Sequence, residues 1–524
     1  MKRASPAWAE AFCVGALLAL FALLCVGSMR VKSITYDETT YYGIGKDILE
    51  HGSWEAPLAS DQPPLSYYIH SLPLLGSEED ELGTRKRLGY PHLAAARRAM
   101  LPVALVLGFA VYLWSRSLMG PAAGLLSLAL YATSPNMIAH ARLITPDVTL
   151  SCFFLLSCLL LWHALRTRKW GFVLTAGAAL GLAQLSKFTA ALLVPALALV
   201  LTAEALRRRL PPAKAIAIFA ALCVVAVLVL NCGYGFRGTL KPVADHVLEG
   251  RSFARLERLP AIGQVPLPFP YLYTKGLTHQ HSIVQAGFPG YLMGEHSTRG
   301  WWYYFFVALG IKTPPALHLA LLGSVLAVLT CAGHPLRERS ARAGALLIPP
   351  AVLLFYASFL NHINIGLRYV LPVLPFLHVA AGALVAGRGC RTPVRRVCGG
   401  VLATLGLVSA LLIYPHYLAY FNVYVGGPEN GYHYLIDSNL DWGQDEFLMA
   451  RYAESSPVPL KIEPGCRPTT GRIAVSANTL QGIYGDTGEC YAWLKAYEPV
   501  DHVGYSWLIF DVPDNDPDTE AQAR

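Results

Sequence analysis

Apolar runs of 16 to 23 residues recur from one end of this chain to the other, and nothing constrains its fold more. A run of that length in a helix is long enough to cross the hydrocarbon core of a bilayer. The first run, Trp8–Met29, follows Lys2 and Arg3 and so has the outline of a secretory leader. Its apolar stretch is longer than a leader's core, no Ala-x-Ala exit follows, and many further runs do. The remaining expected spans are Ala99–Leu118, Pro121–Ile138, Val148–Leu165, Gly171–Ser186, Phe188–Ala203, Ala213–Cys232, Ala316–Gly333, Ala343–Leu360, Tyr369–Ala386 and Val397–Tyr414. The expectation is an α-helical integral membrane protein of about eleven spans. Of the 524 residues, 54% are hydrophobic and only 15% charged, against about a quarter charged in an ordinary soluble domain.

Charge then gives the orientation. Basic clusters fall at Lys2/Arg3, Arg166/Arg168/Lys169, Arg207–Arg209 with Lys214, Arg337/Arg339/Arg342, and Arg388/Arg391/Arg395/Arg396. In an eleven-span arrangement all of them share one side. Lys and Arg mark the cytoplasmic side, so the N-terminus is expected inside and the C-terminal hundred residues outside. The formal charge of +8 is this topology signal. The interleaved basic and aromatic residues of a nucleic-acid surface are missing, so no nucleic-acid partner is expected.

The division expected is a membrane domain, 1–415, with polar outer loops at 31–98 and 233–303, and a small extracytoplasmic α/β domain, 416–524. In the first loop, Thr39–Glu50 and Leu65–Leu75 read as amphipathic helices lying on the membrane surface. In the tail, Arg472–Ala477 and Tyr505–Val512 read as strands, Gln444–Ala453 and Tyr491–Tyr497 as helices, and the last residues, Asp514–Arg524, as a frayed end. Of the 11 cysteines, Cys466 and Cys490 are the two in that polar tail. An outer compartment permits them to pair.

Few polar residues interrupt the apolar pattern. Asp37 and Glu38 follow the first span, and neighbours in sequence do not share a helix face. One could therefore act on a substrate while the other holds a structural partner; Asp37 could also cap the helix after it. Asp147 ends the short turn His140-Ala141-Arg142-Leu143-Ile144-Thr145-Pro146-Asp147, where a helix start favours a carboxylate. Lys187, Lys312 and Arg368 are isolated cations that the span count brings to the same outer side as the acids. Each could snorkel to the headgroups or hold a phosphate. Two metal patterns are weak. His279, His281, Glu295 and His296 have no ordinary zinc spacing. Asp437, Asn439, Asp441, Gly443 and Asp445 alternate like a calcium loop but place the Gly one position late; a turn capping the following helix is the simpler reading. No nucleotide-binding fingerprint occurs.

The order of these features is that of a known family. An acidic pair follows span one, then Asp61-Gln62-Pro63-Pro64-Leu65, then Arg142-Leu143-Ile144-Thr145-Pro146-Asp147, a Lys between paired spans, and Arg368-Tyr369-Val370-Leu371-Pro372-Val373-Leu374-Pro375. The chain resembles the GT-C glycosyltransferases of the protein O-mannosyltransferase and aminoarabinose-transferase type. The resemblance implies GT-C architecture and inverting transfer from a polyprenyl-phosphate sugar to a glycan, lipid or protein hydroxyl on the outer face of the membrane. It also implies Asp37 as general base, Glu38 as its neighbour in the motif and Asp147 as the second acid. Lys187 and Arg368 fall near the lipid phosphate, with Gln62, Arg142 and Lys312 as further substrate contacts. Many relatives have Lys where this chain has Gln62, which shifts the expected phosphate contacts onto Lys187, Arg368 or Lys312. A phosphodiester leaves as a stable anion, so no metal is required, although a divalent ion fits such a site. The rival reading is a secondary transporter, whose polar groups belong at mid-membrane rather than at one face.

Overall fold

The computed structural model describes residues 7–54, 61–77, 92–246, 248–250, 260–330, 336–386, 392–484 and 489–514. Lys2, Arg3, Arg388, Arg391 and the chain beyond Asp514 lie outside them. Each of the eleven expected apolar segments is helical where it is described. Among the described residues, six helices are long and apolar enough to cross a membrane: Ala7–Met29, Leu93–Met119, Asp147–Thr167, Phe188–Leu206, Pro212–Gly233 and Pro393–Leu412. The chain is an integral membrane protein. Four shorter apolar helices, Pro121–Ala132, Trp170–Gln184, Ala343–Phe359 and Val373–Val385, match four more of the expected segments.

The eleventh segment differs from its expectation. Tyr304–Lys312 and Pro315–Leu329 form a pair bent by 106°. Pro314 and Pro315 prevent the helix from running on, and the freed carbonyls are taken up by side chains. Asn422 Nδ2 donates to Gly310 O at 2.7 Å and to Thr313 O at 2.9 Å. The expected single span Pro121–Ile138 is also broken, into Pro121–Ala132 and Pro135–Ala141, at Ser134-Pro135.

Small residues let the helices meet. Gly177 and Gly181 face the helix Pro212–Gly233, and a Cβ there would lie 2.9 Å from Val225 Cβ and 2.7 Å from Val229 Cβ. In lipid, such close approach replaces the hydrophobic effect as the source of association.

The loop after the first helix does not form one helix over Thr39–Glu50. It forms Tyr36–Tyr41 and Ile44–His51, separated at Gly43, whose φ of 91° favours glycine. Leu65–Ser71 follows. Tyr41, Ile44, Ile48 and Tyr67 from these pieces bury against Ala96, Met100 and Ile144.

The tail carries a four-stranded sheet. Its strands are β3 (Leu460–Ile462), β4 (Gly471–Ser476), β5 (Asp501–Val503) and β6 (Trp507–Val512), in the order β3-β4-β6-β5; β1 and β2 (Gly290–Leu292 and Glu295–Ser297) form a separate hairpin. β3 runs parallel to β4, and β4 pairs antiparallel with β6, Ala474 opposite Ile509. The expected helix over Gln444–Ala453 is Glu446–Ser455, and that over Tyr491–Tyr497 is the short 3-10 turn Ala492–Ala496. Cys466 and Cys490 are joined, closing a loop of 24 residues. Such a crosslink is worth about 3 kcal/mol against unfolding.

Among the described residues, buried side chains on the two sides of residue 416 pack together. Tyr417, Leu418, Leu435, Leu440 and Trp442 share one buried cluster with the membrane helices and with Ile473, Val475 and Phe510 of the sheet. The joint is hydrogen-bonded as well. Ser33 N donates to Gln444 O at 2.9 Å, and Tyr36 N to Trp442 O at 3.0 Å. Phe447 N donates to Ser33 Oγ at 2.8 Å. Lys32 pairs with Asp445, which also accepts from Gln444 Nε2 at 2.7 Å and Ser506 Oγ at 2.8 Å. The segment that leads into Asp37 is thus clamped by the tail.

Candidate active site

Asp37 lies in the first turn of Tyr36–Tyr41 but does not cap it. Thr35 occupies the cap, and its N–H donates to Glu38 Oε2 at 2.9 Å. This is the reach-back half of a capping box, carried by the sequence Thr35-x-x-Glu38. The Asp37 side chain is therefore free to face outward, and it is 19% exposed. Arg368 Nη1 donates to its Oδ2 at 2.5 Å, Trp442 Nε1 to its Oδ1 at 3.3 Å, and Tyr41 Oη to Oδ2 at 3.4 Å.

Glu38 turns the other way and is fully buried. Arg97 grips it with Nε at 2.9 Å from Oε1 and Nη2 at 2.5 Å from Oε2. Besides the Thr35 N–H, Ile144 N and Thr35 Oγ1 also donate to Glu38, each at 3.1 Å. Burial pulls the Glu38 carboxyl up, but the Arg97 charge and these hydrogen bonds outweigh it and hold it below the usual glutamate range. Glu38, expected as the neighbour of Asp37 in the motif, ties the Asp37 loop to the helix Leu93–Met119 and to the turn before Asp147.

The second acid stands with the second cation. Lys187 Nζ donates to Asp147 Oδ1 at 2.7 Å. Asp147 sits at the start of its helix because Pro146 precedes it. Lys187 is delivered by the break between Trp170–Gln184 and Phe188–Leu192. The Tyr369 ring links the two ion pairs, with Lys187 Nζ 4.9 Å and the Arg368 guanidinium 5.3 Å from its centre. Gln62 is buried, and three residues on, Leu65 N donates to Leu185 O at 2.9 Å, two residues before Lys187.

Among the described residues, Asp147 Oδ2, Gln62 Oε1, His140 Nδ1 and all three guanidinium nitrogens of Arg142 are buried without a hydrogen-bond partner. Leaving such groups unpaired costs about 1–3 kcal/mol each, so the end of the bundle that holds Asp37 and Asp147 carries several unused polar atoms. Lys312, expected as a phosphate contact, is spent elsewhere. It is buried at the bend after Lys312 and donates to Leu418 O at 2.6 Å and Asn439 O at 2.5 Å. The histidine group does not converge: His279 Nδ1 lies 2.6 Å from Glu249, and His296 Nε2 lies 2.7 Å from Gln481 O. Among the described residues no three His, Cys, Asp or Glu side chains gather as metal ligands.

The residues that sequence reasoning missed are Arg97 and the stretch Asp437–Asp445. The latter, expected as a turn that caps the following helix, is the clamp that builds the site. Trp442 donates to Asp37 and lies under Arg368, with the guanidinium 4.3 Å from its ring centre. Ser438 Oγ accepts from Arg368 Nε at 3.2 Å, an approach that a side chain at Gly366 would block. Asn439 Oδ1 accepts from Leu367 N at 3.0 Å. The aromatic-acidic content of the stretch was the available signal.

Two acids of this clamp titrate near neutrality. Burial pushes Asp441 up to about 7, against the pull of the Asn478 and Gly443 N–H donors, and pushes Asp437 up to about 6. The ordinary aspartate value is about 3.9. Over the window between these values the folded protein binds protons that the unfolded chain has released, so stability falls as pH rises from about 4 to 7. Asp441→Asn is expected to flatten that fall in thermal unfolding scans; an unchanged pH profile would count against the assignment.

Residues 91–231 match the family described as dolichyl-phosphate-mannose-protein mannosyltransferase. That segment holds Arg97, Arg142, Asp147 and Lys187. No curated protein matches the chain. Among solved structures it is similar to ArnT from Cupriavidus metallidurans bound to undecaprenyl phosphate, with 14% identity and a TM-score of 0.48 over 98% of this chain and 99% of that one. It is also similar to the same protein in the apo state, with 17% identity and a TM-score of 0.46 over 78% and 70%. The oligosaccharyltransferase of Archaeoglobus fulgidus tethered with an acceptor peptide matches at 13% identity and 0.46, over 78% of this chain and 55% of that one.

Proposed function

We propose that the chain is a membrane glycosyltransferase that moves a sugar from a polyprenyl phosphate to an acceptor hydroxyl of a glycan, lipid or protein, with inversion. The observation that carries this reading is the pairing of a partly exposed carboxylate, Asp37, with Arg368 and Trp442, beside a second acid-cation pair, Asp147–Lys187. The family match over residues 91–231 supports the lipid-linked donor. A transporter would gather its polar groups at mid-bundle; these gather at helix ends.

In the reaction, Asp37 takes the proton of the acceptor hydroxyl. The acceptor oxygen attacks the anomeric carbon from the face opposite the phosphate. The bond from that carbon to the phosphate oxygen breaks, and polyprenyl phosphate leaves with the electron pair. Arg368 has five N–H donors, of which Asp37 and Ser438 take two. The remaining donors, with Lys187, stabilise the charge on the leaving phosphate. Asp147 and Gln62 hold sugar hydroxyls through their unused oxygens. Glu38 and Lys312 hold the scaffold. A polyprenyl phosphate leaves as a stable anion whose charge Arg368 and Lys187 balance, so the step does not require a metal.

The test is reconstituted protein given either polyprenyl-phosphate sugar or the matching nucleotide sugar. Transfer from the nucleotide sugar alone would sink the reading. Lys187→Ala is expected to raise the KM for the lipid donor about tenfold, with less effect on the acceptor. A contact that tightens in the transition state lowers kcat as well.

The site is proposed to face outward, with the N-terminus cytoplasmic and the tail outside, in eleven spans of a bacterial plasma membrane. The gathering of Arg166, Arg168, Lys169 and Arg207–Arg209 at the end away from Asp37 supports this. A reporter inserted beside Arg208 is expected to be cytoplasmic and one fused to the tail external. A cytoplasmic tail would remove access to a donor presented outside.

A further inference from the structure

The end of the bundle away from Asp37 contains a cavity of about 610 Å³, within the range of small-molecule sites. It opens between the ends of Asp147–Thr167 and Phe188–Leu206 and the starts of Trp170–Gln184 and Pro212–Gly233. Asp147 begins the first of these helices and Arg166 lies in its last turn. That helix is about 30 Å long, so the cavity is a membrane's thickness from the proposed reaction.

Six cations surround it, Arg166, Arg168, Lys169, Arg208, Arg209 and Lys214, against the single carboxylate of Glu204. Its depth is apolar, formed by Leu161, Leu197, Val200 and Ile218. The Arg166 guanidinium lies 4.4 Å over the Trp162 ring. Arg168 and Arg208 both hold left-handed backbone, with φ of 57° and 54°. Glycine is the least costly residue at such a position, yet both positions carry arginine at the cavity rim. A topology signal needs cations near span ends; it does not need them ringed around an apolar crevice.

We propose that this cavity binds an anionic phospholipid, its headgroup phosphate among the cations and an acyl chain in the crevice. Basic pockets between membrane helices take lipid headgroups by this chemistry. The proposal is independent of the transfer reaction.

The test uses the full chain in detergent, with native mass spectrometry against phosphatidylglycerol, phosphatidylcholine and inorganic phosphate. One added phosphatidylglycerol is expected to be retained in preference to phosphatidylcholine. Each charge removed is expected to weaken retention about fivefold, so Arg168→Gln/Lys169→Gln/Lys214→Gln lowers it about 100-fold. Ile218→Trp keeps every charge and fills the crevice; it is expected to lose the lipid too, at an unchanged unfolding midpoint. Lys187→Ala, at the far end, is expected to leave retention unaltered. Equal retention of the two lipids by the unaltered protein overturns the proposal even where a variant fails to fold. So do an unaffected triple variant, loss of retention in Lys187→Ala, which puts the lipid at the far site, and displacement of the lipid by inorganic phosphate at equal concentration, which makes this a free-phosphate site.

Discussion

Asp37→Asn is expected to lower transfer by at least about 100-fold, the usual contribution of a positioned general base, while the protein still folds and inserts. The substitution keeps the size of the side chain and one oxygen to accept from Arg368 or Trp442, but that oxygen no longer takes a proton. Some stability should go with it, because Asp37 is only 19% exposed and Arg368 only 7%, and a buried cation loses part of its compensation when its carboxylate becomes neutral. Helix capping is untouched, because Thr35 and Glu38 do that work. Turnover by purified Asp37→Asn with polyprenyl-phosphate sugar is the measurement, alongside its unfolding midpoint. Near-normal turnover would leave Asp37 as a partner that merely orients Arg368.

The contrast between Asp37 and Glu38 shows what a sequence discloses in a membrane chain and what it hides. Apolar length is local, so the long apolar segments were legible as helices, though the break at Ser134-Pro135 was not. The bend after Lys312 was legible in part, from Pro314 and Pro315, but not its consequence, that Lys312 turns inward to tie carbonyls. Isolated charges in an apolar chain also stand out, which is why Asp37, Asp147, Lys187 and Arg368 were found. Their pairing is a matter of tertiary contact, with 331 residues between Asp37 and Arg368. Arg97 was overlooked because it adjoins Arg98 at the edge of a span and reads as part of a basic run. Trp442 was overlooked because nothing local says that the tail folds back onto residues 32–37. Thr35-x-x-Glu38, by contrast, was readable as a capping box and already separates the roles of the two acids.

The Arg97–Glu38 pair is where the largest loss of stability is expected. Both groups are within 1% of full burial, and the guanidinium also donates to Lys32 O at 2.9 Å and Ser33 O at 2.6 Å. One pair therefore fixes the segment leading to Asp37, the helix Leu93–Met119 and the turn before Asp147. Arg97→Met leaves the Glu38 carboxylate buried without its partner, a change that costs about 3–5 kcal/mol. Glu38→Gln leaves the Arg97 charge in the same position and is expected to cost a comparable amount. The double variant removes both charges and is expected to recover much of the loss, since replacing a buried pair by neutral groups is often close to neutral. Such recovery is an interaction energy, read from a double-mutant cycle of unfolding in detergent. A positioning role predicts that activity falls in step with folding and returns in part with the double variant. A reacting Glu38 predicts the opposite: Glu38→Gln as stable as the unaltered protein yet inactive, with nothing regained when Arg97 is also replaced.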